Sequence, residues 1–365
     1  MKPKLLVTAS TFPRWEGDTE PRFILDLSKA LLKYFDVTVL APAAIGAKDK
    51  EVLEGVNVIR YHYFPIHKWE TLCYPGAIVP RIKEKKIRLI LVPFLFLGLW
   101  RKLLFILPQY DIVHAHWIIP QGIVQSFFKK KYLVTGHGGD VTSMNKGIIK
   151  KLKVRALKRA GRVTVVSNAL KKEVMKLVNN IEVYVQSMGC DLDTFGPENR
   201  RNNYFQQNGK KIVLFVGRLA EKKGVTYLIE AVRELDVKLV IVGKGPLENQ
   251  LKNQADNLKE KVVFLGAKTH EELRSIYASA DIFVAPSITA KDGDKEGVPT
   301  TIIEAMASGL PVIASATSGI PEVVENNKNG FLVQEKDIIG IKNCIEKLSK
   351  NEEKRNEMGK YAIKS

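Results

Sequence analysis

Short runs of β-branched and aliphatic residues recur along this chain, each bounded by polar or turn residues and followed by a longer stretch with helical spacing. In the first half they read LLVTA, VTVLA, VNVIR, DIVHA, YLVTG, VTVVS and EVYVQ; in the second, IVLFVG, KLVIVG, VVFLG, DIFVAPS and PVIAS. Most are apolar throughout instead of alternating, the pattern of strands covered on both faces by helices. Strand and helix patterns alternating in this way predict an α/β protein with two open, doubly wound parallel sheets. The stretch GCDLDTFGPENRRNNYFQQ, residues 189–207, breaks both periodicities and predicts a linker. Domains are therefore expected over 1–195 and 196–365, facing across a cleft, a usual place for a ligand.

The most informative segment is DIFVAPSITAKDGDKEGVPTTIIEAMASGLPVIASATSGIPE, residues 281–322. Its opening run predicts a buried strand feeding a polar loop at its carboxyl end, where α/β proteins bind ligands. Glu296 lies in that loop and Glu304 in the helix that follows. Gly297, Val298 and Pro299 shape the approach, and Thr300 or Thr301 is placed to cap the helix. Free amides at a helix start suit a diphosphate, while carboxylates accept hydrogen bonds from sugar hydroxyls. A plainer reading stays open for Glu304, because Thr301 and Glu304 have capping-box spacing. The run AKDGDKEG also invites a calcium or magnesium reading through Asp292, Asp294 and Glu296, although a charged loop is the simpler account.

The string EGVPTTIIEAMASGLPV resembles the Glu-x7-Glu element of the retaining GT-B glycosyltransferases of family 4, and GRLAEKKG, VGKGP, VVFLG and SGIPEVV follow the same family in order and spacing. The wording from Ser287 to Glu322 is most similar to the branch that builds exopolysaccharides and colanic-acid-type polymers. The resemblance implies two Rossmann-like domains, an N-terminal one for the acceptor and a C-terminal one for a nucleotide-sugar donor carrying UDP or GDP. It implies that Arg218 and Lys223 hold the donor diphosphate. Gly217, Gly243, Gly245, Pro246 and Gly266 would line the nucleoside pocket, Glu304 would accept from the ribose hydroxyls, and Glu296 would meet the reacting sugar. His137, between glycines in TGHGGD, matches a histidine that contacts the donor sugar. The family's usual Gly-Gly loop is replaced by TFPRWEGDTEPRF, in which Gly17 and Asp18, with His116, are the acceptor candidates. No metal or other cofactor is expected, the sugar nucleotide being a co-substrate. His114, His116 and His137 lack a carboxylate or thiol at ligand spacing.

Charge adds a second clue. Residues 1–195 hold 31 Lys+Arg against 16 Asp+Glu, whereas residues 196–365 hold 26 against 23, so the basic surplus belongs to the first domain. Without a nucleic-acid-binding motif, an anionic membrane surface is the better partner. KEKKIRLILVPFLFLGLWRKLLFIL, residues 83–107, has an apolar run only from Leu89 to Trp100, too short to span hydrocarbon, and suits an interfacial anchor or a buried helix. The opening MKPKLLVTAS predicts a strand, not a signal peptide, and three scattered cysteines suggest reduced thiols. The expectation is a cytoplasmic enzyme peripherally associated with the inner face of the cell membrane, its acceptor a lipid-linked saccharide. The alternatives are a sugar-nucleotide 2-epimerase and a non-catalytic basic module binding membrane or nucleic acid.

Overall fold

The computed structural model describes residues 2–206, 209–291, 293 and 295–365. They form two compact units, Met1–Gln186 and Ser187–Ser365. The boundary thus precedes the expected one. Residues 187–206 belong to the second unit, where Phe195 and Phe205 are buried with Ile212, Leu214 and Phe283. Arg200 donates to the carbonyls of Ala278 and Ala280, and Lys238 to that of Phe205, so this irregular segment is fastened to the unit it precedes.

The first sheet contains β1 (Lys4–Thr8), β2 (Asp36–Pro42), β3 (Lys50–Leu53), β4 (Val56–Tyr61), β5 (Ile112–His116), β6 (Leu133–Gly136), β7 (Arg162–Val165) and β8 (Val183–Val185), in the order β3-β4-β2-β1-β5-β6-β7-β8. Only β3 is antiparallel, joined to β4 by a tight turn with Glu54 and Gly55 at positive φ. The second sheet contains β9 (Lys211–Val216), β10 (Val237–Val242), β11 (Val262–Gly266), β12 (Ile282–Ala285), β13 (Val312–Ser315) and β14 (Gly330–Val333), in the order β11-β10-β9-β12-β13-β14. This is the doubly wound order, with connections leaving in opposite directions from the central pair. The twelve expected runs all carry strands. The additions, β3 and β14, are four-residue edge strands.

The continuous apolar runs have a direct cause. In β9, Ile212 and Leu214 join the core layer on one face of the sheet while Val213 and Phe215 join the layer on the other. Alternate side chains point to opposite faces, so a strand with helices on both sides needs apolar residues at every position, each gaining about 1.5–3 kcal/mol on full burial.

Residues 86–109 form one continuous helical stretch of 24 residues, with a regular α-helix over Leu91–Ile106. By length and composition it could cross a membrane, which corrects the expectation of too short a run. Its packing distinguishes the faces. Leu91, Leu95, Leu99, Leu103 and Ile106 are buried at helical spacing, whereas Leu89, Ile90, Leu97, Trp100, Leu104 and Phe105 are exposed. A Cβ on Gly98 would lie 2.8 Å from the Tyr63 Cα, so the missing side chain lets the helix seat directly on the backbone after β4. Leu99→Ala should therefore lower unfolding stability by about 2–5 kcal/mol, while Leu97→Ala should stay within about 0.5 kcal/mol, in denaturant titrations of the two variants. Equal costs would mean that the helix is seated on another face.

Candidate active site

The second sheet brings its loops together at the switch between β9 and β12. The loop after β9, Gly217–Gly224, lies against the loop after β12. Gly224 has φ +64° and a Cβ there would stand 1.9 Å from the Pro286 carbonyl oxygen, so glycine alone permits this approach. Ile288 N–H donates to the Lys222 carbonyl at 2.8 Å, and Glu335 clamps the same loop by accepting from the Thr289 N–H and hydroxyl at 2.8 and 3.0 Å. The result is a charged cluster: Lys222 Nζ is 3.3 Å and Lys223 Nζ 3.2 Å from the two oxygens of the mostly buried Glu296 carboxylate. Burial opposes the charge on Glu296, but Lys223 and then Lys222 outweigh it and pull its pKa down to about 2.

The glycines expected around a nucleoside converge beside this cluster. Leu219 N–H donates to the Lys244 carbonyl at 3.0 Å and Gly243 N–H to the Gly266 carbonyl at 2.8 Å. Gly243 has φ +132°, and a Cβ on it would stand 1.9 Å from the Gly217 carbonyl oxygen. Gly217, Gly243, Gly245 and Gly266 therefore form one close-packed set of strand ends, with Pro246 exposed beside Gly245. Arg218 is half-buried on the same loop as Lys223.

The chain reaches the helix Thr300–Ala307 through buried Gly297, Val298 and Pro299. Pro299 occupies the N-cap, and no side chain caps the helix, which corrects both the threonine cap and the capping-box reading. Glu304 instead accepts a hydrogen bond from the hydroxyl of buried Tyr277 at 2.7 Å. The N-cap residue thus adds no side-chain acceptor to the first helical turn, led by Thr300, whose amides suit an anion.

In the first unit, half-buried His137 follows β6. Phe23 and Trp117 lie against it, with ring centroids 5.4 and 4.9 Å away, and His116 Nδ1 is 3.0 Å from His137 Nε2. Burial lowers the His137 pKa to about 3. Asp140 sets the loop's shape, its carboxylate accepting from the backbone amides of Ile118, His137 and Gly138.

Two acceptor candidates, His116 and Asp18, lie in closed surroundings. His116 is fully buried behind His137, and Asp18 is buried with its carboxylate held by the Arg14 side chain and the amides of Arg14 and Thr19. Gly17, at φ +77°, has no atom within 4 Å of where a Cβ would stand. His114 Nε2 lies 2.7 Å from the Thr135 hydroxyl, and its ring centroid lies 3.9 Å from that of His116. Asp292 and Asp294 lie outside the described residues. Lys222, Tyr277 and the aromatic pair around His137 escaped the sequence reading, whereas Asp140 was legible in TGHGGD as the acid nearest His137. The Lys222–Lys223 doublet carried a signal for the first, but Tyr277 lies a helix away from Glu304 and is visible only in three dimensions.

Anabaena HepE, solved in complex with UDP-glucose, aligns over 99% of this chain and 94% of its own with a TM-score of 0.73 at 19% identity, and the fold is GT-B. The Glycosyltransferase Family 4 pattern matches residues 21–194 and the Glycosyl transferases group 1 pattern residues 197–365. The chain belongs to this family. The amylovoran biosynthesis glycosyltransferase AmsK of Erwinia amylovora is 45% identical over 147 residues, 38% of this chain and 36% of the other. The putative colanic acid biosynthesis glycosyltransferase WcaL of Escherichia coli K12 is 38% identical over 163 residues, 43% of this chain and 39% of the other. The chain thus matches well under half the length of these two relatives.

The charged cluster has a measurable signature. Because the folded-state pKa of Glu296 is depressed from 4.5 to about 2, its stabilising contribution is present above pH 4.5 and is lost as the pH falls toward 2. Denaturant unfolding between pH 6 and pH 3 should show a smaller acid loss in Glu296→Gln than in the unaltered protein. An identical acid loss in both would contradict the lysine pairing.

Proposed function

We propose that this protein transfers a sugar from a nucleotide-diphosphate donor, UDP- or GDP-linked, to a lipid-linked saccharide in polysaccharide biosynthesis, with retention at the anomeric carbon and without a metal. The observation that carries the reading is the Lys222, Lys223 and Glu296 cluster at the β9–β12 switch, beside the uncapped helix start at Thr300. Cations and helix amides stabilise the charge that grows on a departing diphosphate. Glu296 and Glu304 supply acceptors for the donor's hydroxyls, and Arg218 adds a guanidinium contact to the phosphates beside the two lysine ammonium groups. His137, neutral because its pKa is low, donates or accepts a hydrogen bond at the donor sugar. The UDP-glucose complex of HepE and the polymer-building roles in the names of AmsK and WcaL support this assignment.

Retention by a covalent sugar would need a free carboxylate near His137. Asp140, its neighbour, is buried and already accepts three amide hydrogen bonds, so front-face attack with the diphosphate taking the acceptor's proton is the better mechanism. The enzyme works at the cytoplasmic face of the membrane. The exposed face of the helix Leu91–Ile106 is apolar apart from Arg101, Trp100 stacks on Phe128 at 6.4 Å, and Lys129–Lys131 follow at once, so cations accompany the apolar residues.

A nucleotide-sugar screen by thermal unfolding should give stabilisation by one UDP or GDP sugar. Glu304→Ala should weaken that donor at least tenfold, while Glu296→Ala should mainly lower turnover, and product NMR should show the donor's anomeric configuration. An inverted product, or equal binding losses in the two variants, would overturn the assignment. Liposome sedimentation should show binding that rises with anionic lipid and fades with salt, and Leu97→Glu with Phe105→Glu should abolish it. Failure of the unaltered protein to bind anionic liposomes would point to a soluble acceptor.

A further inference from the structure

In the first unit, at the carboxyl end of β4, two histidines and two carboxylates meet. His62 follows β4 directly. The antiparallel register that sets Lys50 opposite Ile59 brings Asp49 alongside, and the short turn His67–Trp69 folds back so that His67 and Glu70 reach the same place. His62 Nδ1 lies 2.7 Å from Glu70 Oε2, and His62 Nε2 lies 3.0 Å from Asp49 Oδ1. The His62 and His67 rings stack with centroids 3.6 Å apart and 9° between their planes. One ligand atom from each of His62, His67 and Glu70 falls within 4.8 Å of the others.

Three features separate this cluster from a chance gathering of polar side chains. Glu70 is buried, and its Oε1 is fixed by the amides of Tyr63 and Phe64, so that Oε2 is held facing the imidazoles. Both histidines are exposed and therefore open to an ion from solvent. His62 turns its other nitrogen to a carboxylate, the support that a metal-bound histidine ordinarily has, because it fixes the tautomer and raises the basicity of the ligating nitrogen.

We propose that this loop binds one zinc ion through His62 Nδ1, a ring nitrogen of His67 and Glu70 Oε2, with water in the fourth position and Asp49 orienting His62. Two imidazoles and one carboxylate suit zinc, whereas calcium and magnesium prefer oxygen ligands alone. The exposed His67 ring turns out of its stack to direct a nitrogen at the ion. The bound metal has a structural task. Phe64, in the loop the ion closes, stacks on Trp69 at 5.9 Å and meets Phe94 of the apolar helix edge-on at 4.9 Å, so zinc fastens this loop to the helix. The residues assigned to the donor's nucleoside and phosphates belong to the second unit, and neither they nor His137 take part.

The test uses the untagged full chain, stripped with a chelator and titrated with zinc alone by calorimetry, and with cobalt followed by its visible absorption. One equivalent should bind, cobalt should give the spectrum of a tetrahedral site, and zinc should raise the melting temperature. His67→Ala and His62→Ala should each weaken binding at least a hundredfold, and Asp49→Asn by about tenfold to a hundredfold. His270→Ala, in the second unit, should change nothing. His67→Ala removes an exposed side chain, so its far-UV circular dichroism should match that of the unaltered protein. No binding, several weak equivalents, or one equivalent undiminished in His62→Ala and His67→Ala would overturn the site.

Discussion

Every strand pair except β3 and β4 is parallel, and this one constraint organises the molecule. Parallel neighbours require crossover connections, so the carboxyl ends of the strands collect on one edge of each sheet and their loops must share that edge. In the second unit the crowding is extreme enough to exclude a Cβ. The loop after β9 touches the backbone after β12 at Gly224 and the backbone after β10 at Gly243. The close approach places Lys222 and Lys223 against Glu296 without any help from the other side of the chain. Charge is thus concentrated where backbone amides and the start of a helix are also available.

The first unit uses the same edge differently. Its residues near His137 are aromatic and histidine-rich, and Asp140, from the interior, fixes their loop through three amide hydrogen bonds. A buried carboxylate with no amides to receive would cost several kcal/mol, so the loop and the acid stabilise each other. Lys153 adds a second buried anchor, its ammonium donating to the carbonyls of Val141 and Ser143 just beyond that loop. Functional side chains on loops need such supports, because a loop alone does not hold a ring to within a fraction of an ångström.

Much of this was legible in the sequence because burial on both sheet faces forces a strand to be apolar throughout, and IVLFVG or KLVIVG can hardly be read otherwise. The short edges were not. β3 reads KEVL, with half its positions charged, since an antiparallel edge has one face and one side free. The interior of the linker was misread for a related reason. Gly, Pro and Asn end regular structure, but they do not tell whether Phe195 will be buried, which depends on Ile212 and Phe283. At the site, local spacing suggested that Thr301 and Glu304 would cap a helix. The observed partner, Tyr277, lies 27 positions upstream, and only the packing of two helices on one sheet face brings the pair together.

The lysine pair also explains how one carboxylate can remain ionised in a confined place and still be useful. At 3.2 Å and an effective dielectric of about 20, one lysine attracts Glu296 by about 5 kcal/mol before the desolvation cost is subtracted. Two lysines leave the cluster with a net positive charge, so a diphosphate is drawn to it instead of repelled by the acid. A diphosphate that draws the ammonium groups toward itself takes hydrogen-bond donors away from Glu296. The carboxylate then needs replacements, since an unpaired buried charge is costly. Sugar hydroxyls are suited to that task, being neutral donors that arrive on the same molecule as the phosphates. Under the proposed assignment a donor carrying both groups satisfies lysines and carboxylate together, whereas the nucleoside diphosphate left after transfer satisfies the lysines but brings no sugar hydroxyls to Glu296, so the cluster would favour the nucleotide sugar over its leaving group.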